Sequence, residues 1–224
     1  DATTGAAIAK AIDLGAGDDK LILSGNAVKV PAVELKGGAG EDTLSITATS
    51  AALLDDNTLF AAKLNSFERL ELTAVTAQDI NVKNLGFANY VTVNGTAGAA
   101  TLSNLANNAT VVVDADVTTS LTVKVENDGT STTNVLNVVY AKEGNLTGND
   151  LIATEIETVN LTVTDIFADD GTGKDTTDAT HSLNFDSAKA TSLNIDGTAG
   201  LNLTLDSNTV KLVTIDASKM TEGG

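Results

Sequence analysis

The sequence predicts an all-β chain wound into a right-handed parallel β-solenoid, of the β-helix or β-roll kind, with at most one short helix. Three observations carry this. Alternating apolar and polar segments recur along the whole length, and several stretches return in the same order 89 to 102 residues later. Hydrophobic residues make up 42% of the chain while aromatics supply 3% and Trp is absent, so the core must be built from Ala, Val, Leu and Ile. Side chains of that size fill repeated thin layers better than one bulky centre.

The alternating segments are LSITATS (44–50), RLELTAV (69–75), TVVVDAD (110–116), SLTVKV (120–125), VLNVVY (135–140), TVNLTVTD (158–165) and LNLTLD (201–206). Period-two alternation makes each a strand with one face buried. Turn chemistry separates them at Gly25-Asn26, Asn94-Gly95, Asp128-Gly129, Gly144-Asn145, Asp170-Gly171 and Asp196-Gly197. Residues 51–64 (AALLDDNTLFAAKL) have apolar residues at helical spacing and a capping start near Asp55, which predicts the one short helix.

Repetition sets the larger organisation. VNGTAGAATL (93–102) returns as IDGTAGLNLT (195–204), FERLELT (67–73) as IETVNLT (156–162), and DTLSIT (42–47) as NVLNVV (134–139). A duplicated unit with loops of different length explains these offsets, and strands near every twentieth residue predict successive coils. A β-sandwich would also give short strands and frequent turns. The abundance of Asn, Thr and Ala and the scarcity of aromatics favour the solenoid.

Thirteen basic against thirty acidic residues leave a net charge of −17, which repels nucleic acid and anionic lipid and makes cations the expected partners. No stretch approaches the ~20 apolar residues of a membrane span, so no membrane insertion is expected. The first residues, DATTGAAIAK, lack the charged and apolar regions of a signal peptide and do not begin with Met. The expectation is a piece of a longer protein whose export signal lies elsewhere. There is no cysteine, which excludes disulfides and thiolate chemistry.

Two Gly/Asp segments match each other: Leu14-Gly15-Ala16-Gly17-Asp18-Asp19-Lys20-Leu21 and Gly37-Gly38-Ala39-Gly40-Glu41-Asp42-Thr43-Leu44, 23 residues apart. Each follows G-G-x-G-x-D-x-U-x, the first copy lacking only the leading Gly. Glycine supplies positive φ and bare backbone so that carbonyl oxygens can converge on a cation. Asp19 and Asp42 add carboxylates, and Leu21 and Leu44 point inward to begin a strand. Ca²⁺ wants six to eight oxygens at about 2.3–2.6 Å, more than one turn offers, so two stacked copies would complete a shell between them. The candidate ligands are therefore Gly15, Gly17, Asp19, Gly38, Gly40 and Asp42, with Asp18 and Glu41 beside them. Residues 1–45 read as calcium-binding coils, 46–130 as the first solenoid repeat unit, and 131–224 as a second, degenerate one.

GGAGEDTL resembles the repeats-in-toxin nonapeptide of Gram-negative proteins exported by type I secretion. Repeats of that kind on one side of a coil stand about eighteen residues apart, so the spacing here requires NAVKVPAVE to run long. SFERLELT, EIETVNLTV and AKATSLNIDGTAGLNLTLDSNTVKLVTIDASKMTEGG resemble bacterial surface-layer proteins of the Caulobacter and Campylobacter type. The resemblance spans residues 14–224, the Thr/Asn/Val portions with low specificity. It implies a secreted, calcium-stabilised solenoid that self-assembles into a cell-surface lattice, anchored to lipopolysaccharide through a separate N-terminal part. The alternative is a non-catalytic calcium-binding segment of a large secreted adhesin or repeats-in-toxin exoprotein.

The second repeat has Ser131-Thr132-Thr133-Asn134 where the first has Ala39-Gly40-Glu41-Asp42, which argues against an equivalent metal site there. Asn127, Asp128 and Asn134 are further candidates. So is the acidic loop with Asp165, Asp169, Asp170, Asp175 and Asp178. An enzyme is not expected. His181, the single histidine, reads as a surface residue, and the chain has no G-x-S-x-G elbow, no H-E-x-x-H motif and no phosphate-binding glycine loop.

Overall fold

The computed structural model of the chain describes residues 8–25, 29–96, 99–114, 119–126, 131–141, 149–164 and 180–221. In chain order the elements are β1 (Ile12–Ala16), β2 (Lys20–Leu23), β3 (Leu35–Ala39), β4 (Thr43–Thr47), α1 (Ala48–Leu54), a 3-10 turn (Ala61–Lys63), β5 (Leu64–Asn65), β6 (Arg69–Val75) and β7 (Asp79–Asn81). There follow β8 (Tyr90–Thr96), β9 (Ala100–Leu105), β10 (Ala109–Val113), β11 (Ser120–Val125), β12 (Val135–Tyr140) and β13 (Asn149–Thr154). The last are β14 (Thr158–Val163), β15 (Thr180–Asp186), β16 (Ser192–Gly197), β17 (Gly200–Leu205) and β18 (Thr214–Met220).

Every strand pairing is parallel, and every pairing joins strands two positions apart in the chain, the series being broken only between β5 and β7. This is the connectivity of a β-solenoid. The even strands form one nine-stranded sheet from β2 to β18, while the odd strands form a three-stranded sheet (β1, β3, β5) and a six-stranded sheet (β7 to β17). Coil length runs from 20 residues, with Tyr90 against Thr110, to 34, with Thr158 against Ser192. The expected twenty-residue period is thus the lower bound, with the additional residues in the connections.

Alternation decides which side chains go inside. In the nine-stranded sheet the register stacks Leu44, Leu70, Val91, Val111, Val138, Leu161 and Ile195 into one continuous buried row. A second row runs Ile46, Leu72, Val93, Val113, Tyr140 and Val163. Each even strand from β4 to β16 buries two or three aliphatic side chains, which is why the chain needs so few aromatics. On the outward face Asn137, Asn160 and Asn194 form a ladder, the Asn194 amide donating to Asn160 Oδ1 and the Asn160 amide to Asn137 Oδ1, both at 2.8 Å.

The repeated segments occupy equivalent positions: β4 and β12, β6 and β14, β8 and β16 are each four rungs apart in the nine-stranded sheet. Asn94-Gly95 and Asp196-Gly197 are not turns; they lie inside β8 and β16 because Thr73 pairs with Asn94 and Val163 with Gly197. Asp128-Gly129, Gly144-Asn145 and Asp170-Gly171 fall outside the described residues.

The helix also differs from expectation. It covers Ala48–Leu54, so the segment LSITATS is strand only to Thr47, and Asp55 stands at the helix C-terminus instead of its start. Thr47 is the N-cap, its Oγ1 accepting from the Ser50 N–H at 3.2 Å. The Thr47 and Ser50 hydroxyls both donate to the Gly25 carbonyl of the preceding coil, at 3.0 and 2.7 Å. His181 is buried, not exposed: it takes an inward position on β15, and its Nε2 lies 3.2 Å from the Thr164 carbonyl oxygen. Among the described residues no helix is long and apolar enough to cross a membrane.

Candidate functional site

The two Gly/Asp turns stand directly on one another. Gly15 pairs with Gly38 and Ala16 with Ala39 across β1 and β3, and Lys20 pairs with Thr43 across β2 and β4. Gly15, Gly17, Gly38 and Gly40 all have positive φ, at 103°, 122°, 128° and 142°. At the second turn space matters too. A β-carbon on Gly38 would lie 1.8 Å from the Gly15 carbonyl oxygen, and one on Gly40 2.2 Å from that of Gly17. The glycines therefore let one coil's carbonyls approach the next coil's backbone.

Four hydrogen bonds lock the turns together. The Gly17 N–H donates to the Ala39 carbonyl and the Thr43 N–H to the Asp19 carbonyl, both at 2.8 Å. The Asp19 N–H donates to Asp42 Oδ1 at 2.8 Å, and the Glu41 N–H to Asp18 Oδ1 at 2.9 Å. Asp18 and Asp42 thus tie the turns in opposite directions, Asp18 from an exposed position and Asp42 from full burial.

A third turn, Ser66 to Glu68 between β5 and β6, continues the stack without the motif. The Glu68 and Arg69 N–H groups donate to the Asp42 carbonyl at 3.0 and 3.1 Å, and the Asp42 N–H donates to Glu68 Oε2 at 2.8 Å. Ser66, at φ 54°, takes the left-handed backbone that glycine takes in the earlier turns. Arg69 pairs with Glu41 at 3.1 Å and lies 4.7 Å from the centre of the Tyr90 ring, joining the second coil to the fourth. Lys20 reaches across two rungs to Glu71.

Of the expected ligands, then, Gly15, Gly17, Asp19, Gly38, Gly40 and Asp42 come together at one corner, with Asp18 and Glu41 at its rim. Asn127, Asp128, Asp165, Asp169, Asp170, Asp175 and Asp178 lie outside the described residues. Among the described residues no three carboxylate, imidazole or thiol side chains cluster, so a cation here would depend on backbone carbonyls, the donor type Ca²⁺ accepts. The donor set fits in one respect that is independent of the motif: buried Asp42 Oδ2 has no hydrogen-bond partner.

The second repeat rebuilds this corner. Asn134 is buried like Asp42, its N–H donates to Glu157 Oε2 at 2.8 Å, and its carbonyl accepts from the Glu157 and Thr158 N–H groups at 3.2 and 3.0 Å. Glu155, at φ 59°, stands where Ser66 stands. Ser66 and Glu68 were not among the residues expected at the site, although the match between FERLELT and IETVNLT already aligned Glu68 with Glu157. No protein-family model matches the chain, and no curated protein is significantly similar to it.

Proposed function

We propose that this chain is a structural, non-catalytic segment of a secreted bacterial surface-layer protein, stapled by calcium and assembling with further copies into a cell-surface lattice. The observation that carries the reading is the direct stacking of two Gly/Asp turns on successive coils of a parallel solenoid, Gly15 on Gly38. Stacking of this kind supports the reading because it brings Asp18, Asp19, Glu41 and Asp42 of both turns to one corner beside their glycine backbone, and Ca²⁺ accepts carboxylate and backbone carbonyl oxygens. The net charge of −17 and the absence of cysteine support it, because an acidic extracellular coil without disulfides needs another cross-link. The sequence resemblance to surface-layer proteins adds the lattice, and with it attachment to lipopolysaccharide through a separate part.

In this mechanism, low calcium leaves like charges facing one another at close range, and extracellular calcium removes that repulsion as it bridges the coils. Binding to the folded chain alone adds about 2.7 kcal/mol when free calcium is 100 times the dissociation constant. That is a large part of a stability of ~5–15 kcal/mol. Calcium titration of the chain, followed by circular dichroism, thermal melting and light scattering, tests it. The expected result is a gain in stability that EGTA reverses and Mg²⁺ does not reproduce, with particle growth from assembly. A calcium response without growth points to the adhesin alternative; no response to calcium overturns the reading.

A further inference from the structure

The corner where the third coil rests on the second contains a mismatch that the second repeat resolves. Asp42 is 0% exposed; its Oδ1 accepts the Asp19 N–H, and its Oδ2 has no hydrogen-bond partner. Its neighbour is the backbone of Gly37, where a β-carbon would lie 1.9 Å from the Ser66 carbonyl oxygen and 2.6 Å from Asp42 Oδ2. A carbonyl oxygen and a carboxylate oxygen therefore flank the same small space, with two acceptors and no donor between them. Burying such a group uncompensated is costly.

At the matching corner the side chain is Asn134, and its Nδ2 donates to the carbonyl of Glu155 at 3.0 Å. The settings are otherwise alike. Both side chains are buried, both backbone N–H groups donate to a glutamate of the next coil at 2.8 Å, and both facing carbonyls belong to left-handed residues, Ser66 and Glu155. The amide supplies the positive end that the carboxylate lacks.

From this we infer that the Asp42 corner takes one divalent cation, held by Asp42 Oδ2, the Ser66 carbonyl and the Glu68 carboxylate, and that the Asn134 amide does the same bridging in the second repeat without an ion. An all-oxygen donor set with a backbone carbonyl suits Ca²⁺, and exposed Ser66 and Glu68 leave the ion's outer side open to water. The inference rests on the calcium reading above and extends it. The ion bridges the second and third coils, beyond the pair of Gly/Asp turns, and the calcium requirement ends before the second repeat.

Reciprocal substitutions test it, with bound calcium counted by equilibrium dialysis and stability followed by melting in EGTA and in calcium. Asp42→Asn should melt higher than the parent chain in EGTA and bind one calcium fewer. Asn134→Asp should melt lower in EGTA, recover in calcium and bind one calcium more. An Asp42→Asn chain that melts lower in EGTA or fails to fold, or that binds as many ions as the parent, overturns the inference. If the parent chain still responds to calcium in that case, the broader calcium reading stands. If the parent binds no calcium at all, both fall.

Discussion

Gly38 and Gly197 meet the same demand in different coils. A β-carbon on Gly38 would lie 1.8 Å from the Gly15 carbonyl oxygen, and one on Gly197 1.9 Å from that of Val163, and both residues have positive φ. Gly15 also has positive φ, yet a β-carbon there would meet nothing within 4 Å. The three sites separate backbone conformation from close approach. Gly15→Ala should cost about 1–2 kcal/mol, the strain of a left-handed residue alone. Gly38→Ala and Gly197→Ala should each cost about 2–5 kcal/mol, because over-packing adds about 1–3 kcal/mol to that strain. Urea unfolding measures all three, and equal losses would refute the distinction. The Gly/Asp motif made Gly38 legible in the sequence, whereas Gly197 looked like half of a turn because its strand pairing depends on Val163, 34 residues earlier.

Helix α1 shows how an element acquires a boundary that its own sequence does not announce. The alternation that makes β4 continues through Ala48 and Ser50, both buried, so periodicity alone extends the strand. The chain turns into a helix because Thr47 and Ser50 find the Gly25 carbonyl of another coil. The helix then closes an exposed sheet edge: the Asp55 carboxylate at its end accepts the Asn81 N–H of β7, and the Asn84 amide donates to the Asp55 carbonyl at 2.8 Å. Covering an edge strand in this way removes a template for unwanted pairing. The arrangement has an electrostatic cost. Burial raises the Asp55 pKa, opposed by the Asn81 hydrogen bond, and the nearby Asp56 and Asp79 charges raise it further. A raised value means that the folded chain holds this proton to higher pH than the unfolded chain does. Stability from this group is therefore present at low pH and is lost as pH rises through the folded-state value. Asp55→Asn keeps an acceptor for Asn81 and carries no charge. It should melt above the parent at pH 7, and the difference should close as pH falls into the ordinary carboxylate range. A difference independent of pH would show that Asp55 acts through shape alone.

At the scale of the whole molecule, contacts join mainly neighbouring coils, so stability is a sum of local terms and nearest-neighbour interfaces, and the ends open first. The parallel stack, its aliphatic layers and its Asn ladder were legible in the sequence because each follows from alternation and repetition. The third-coil corner at Ser66 and Glu68 was not, because its geometry arises only when coils of unequal length are laid on one another. The far end of the stack is the more open one. β18 is exposed along nearly its whole length, and Leu205, Val210, Val213 and Ile215 show 42%, 77%, 84% and 48% of their surface. Amide hydrogen exchange in EGTA should therefore be fastest in β17 and β18 and slowest in the rungs from β8 to β14, where interior side chains are closed on both sides. Calcium should act unevenly on this gradient. If calcium joins the first coil to the second and the Asp42 ion joins the second to the third, with Asn134 replacing that ion in the second repeat, added calcium will slow exchange in β1 to β6 and leave β12 to β16 unchanged. Uniform slowing along the stack would instead indicate general screening of the −17 charge, which sodium chloride at equal ionic strength would reproduce.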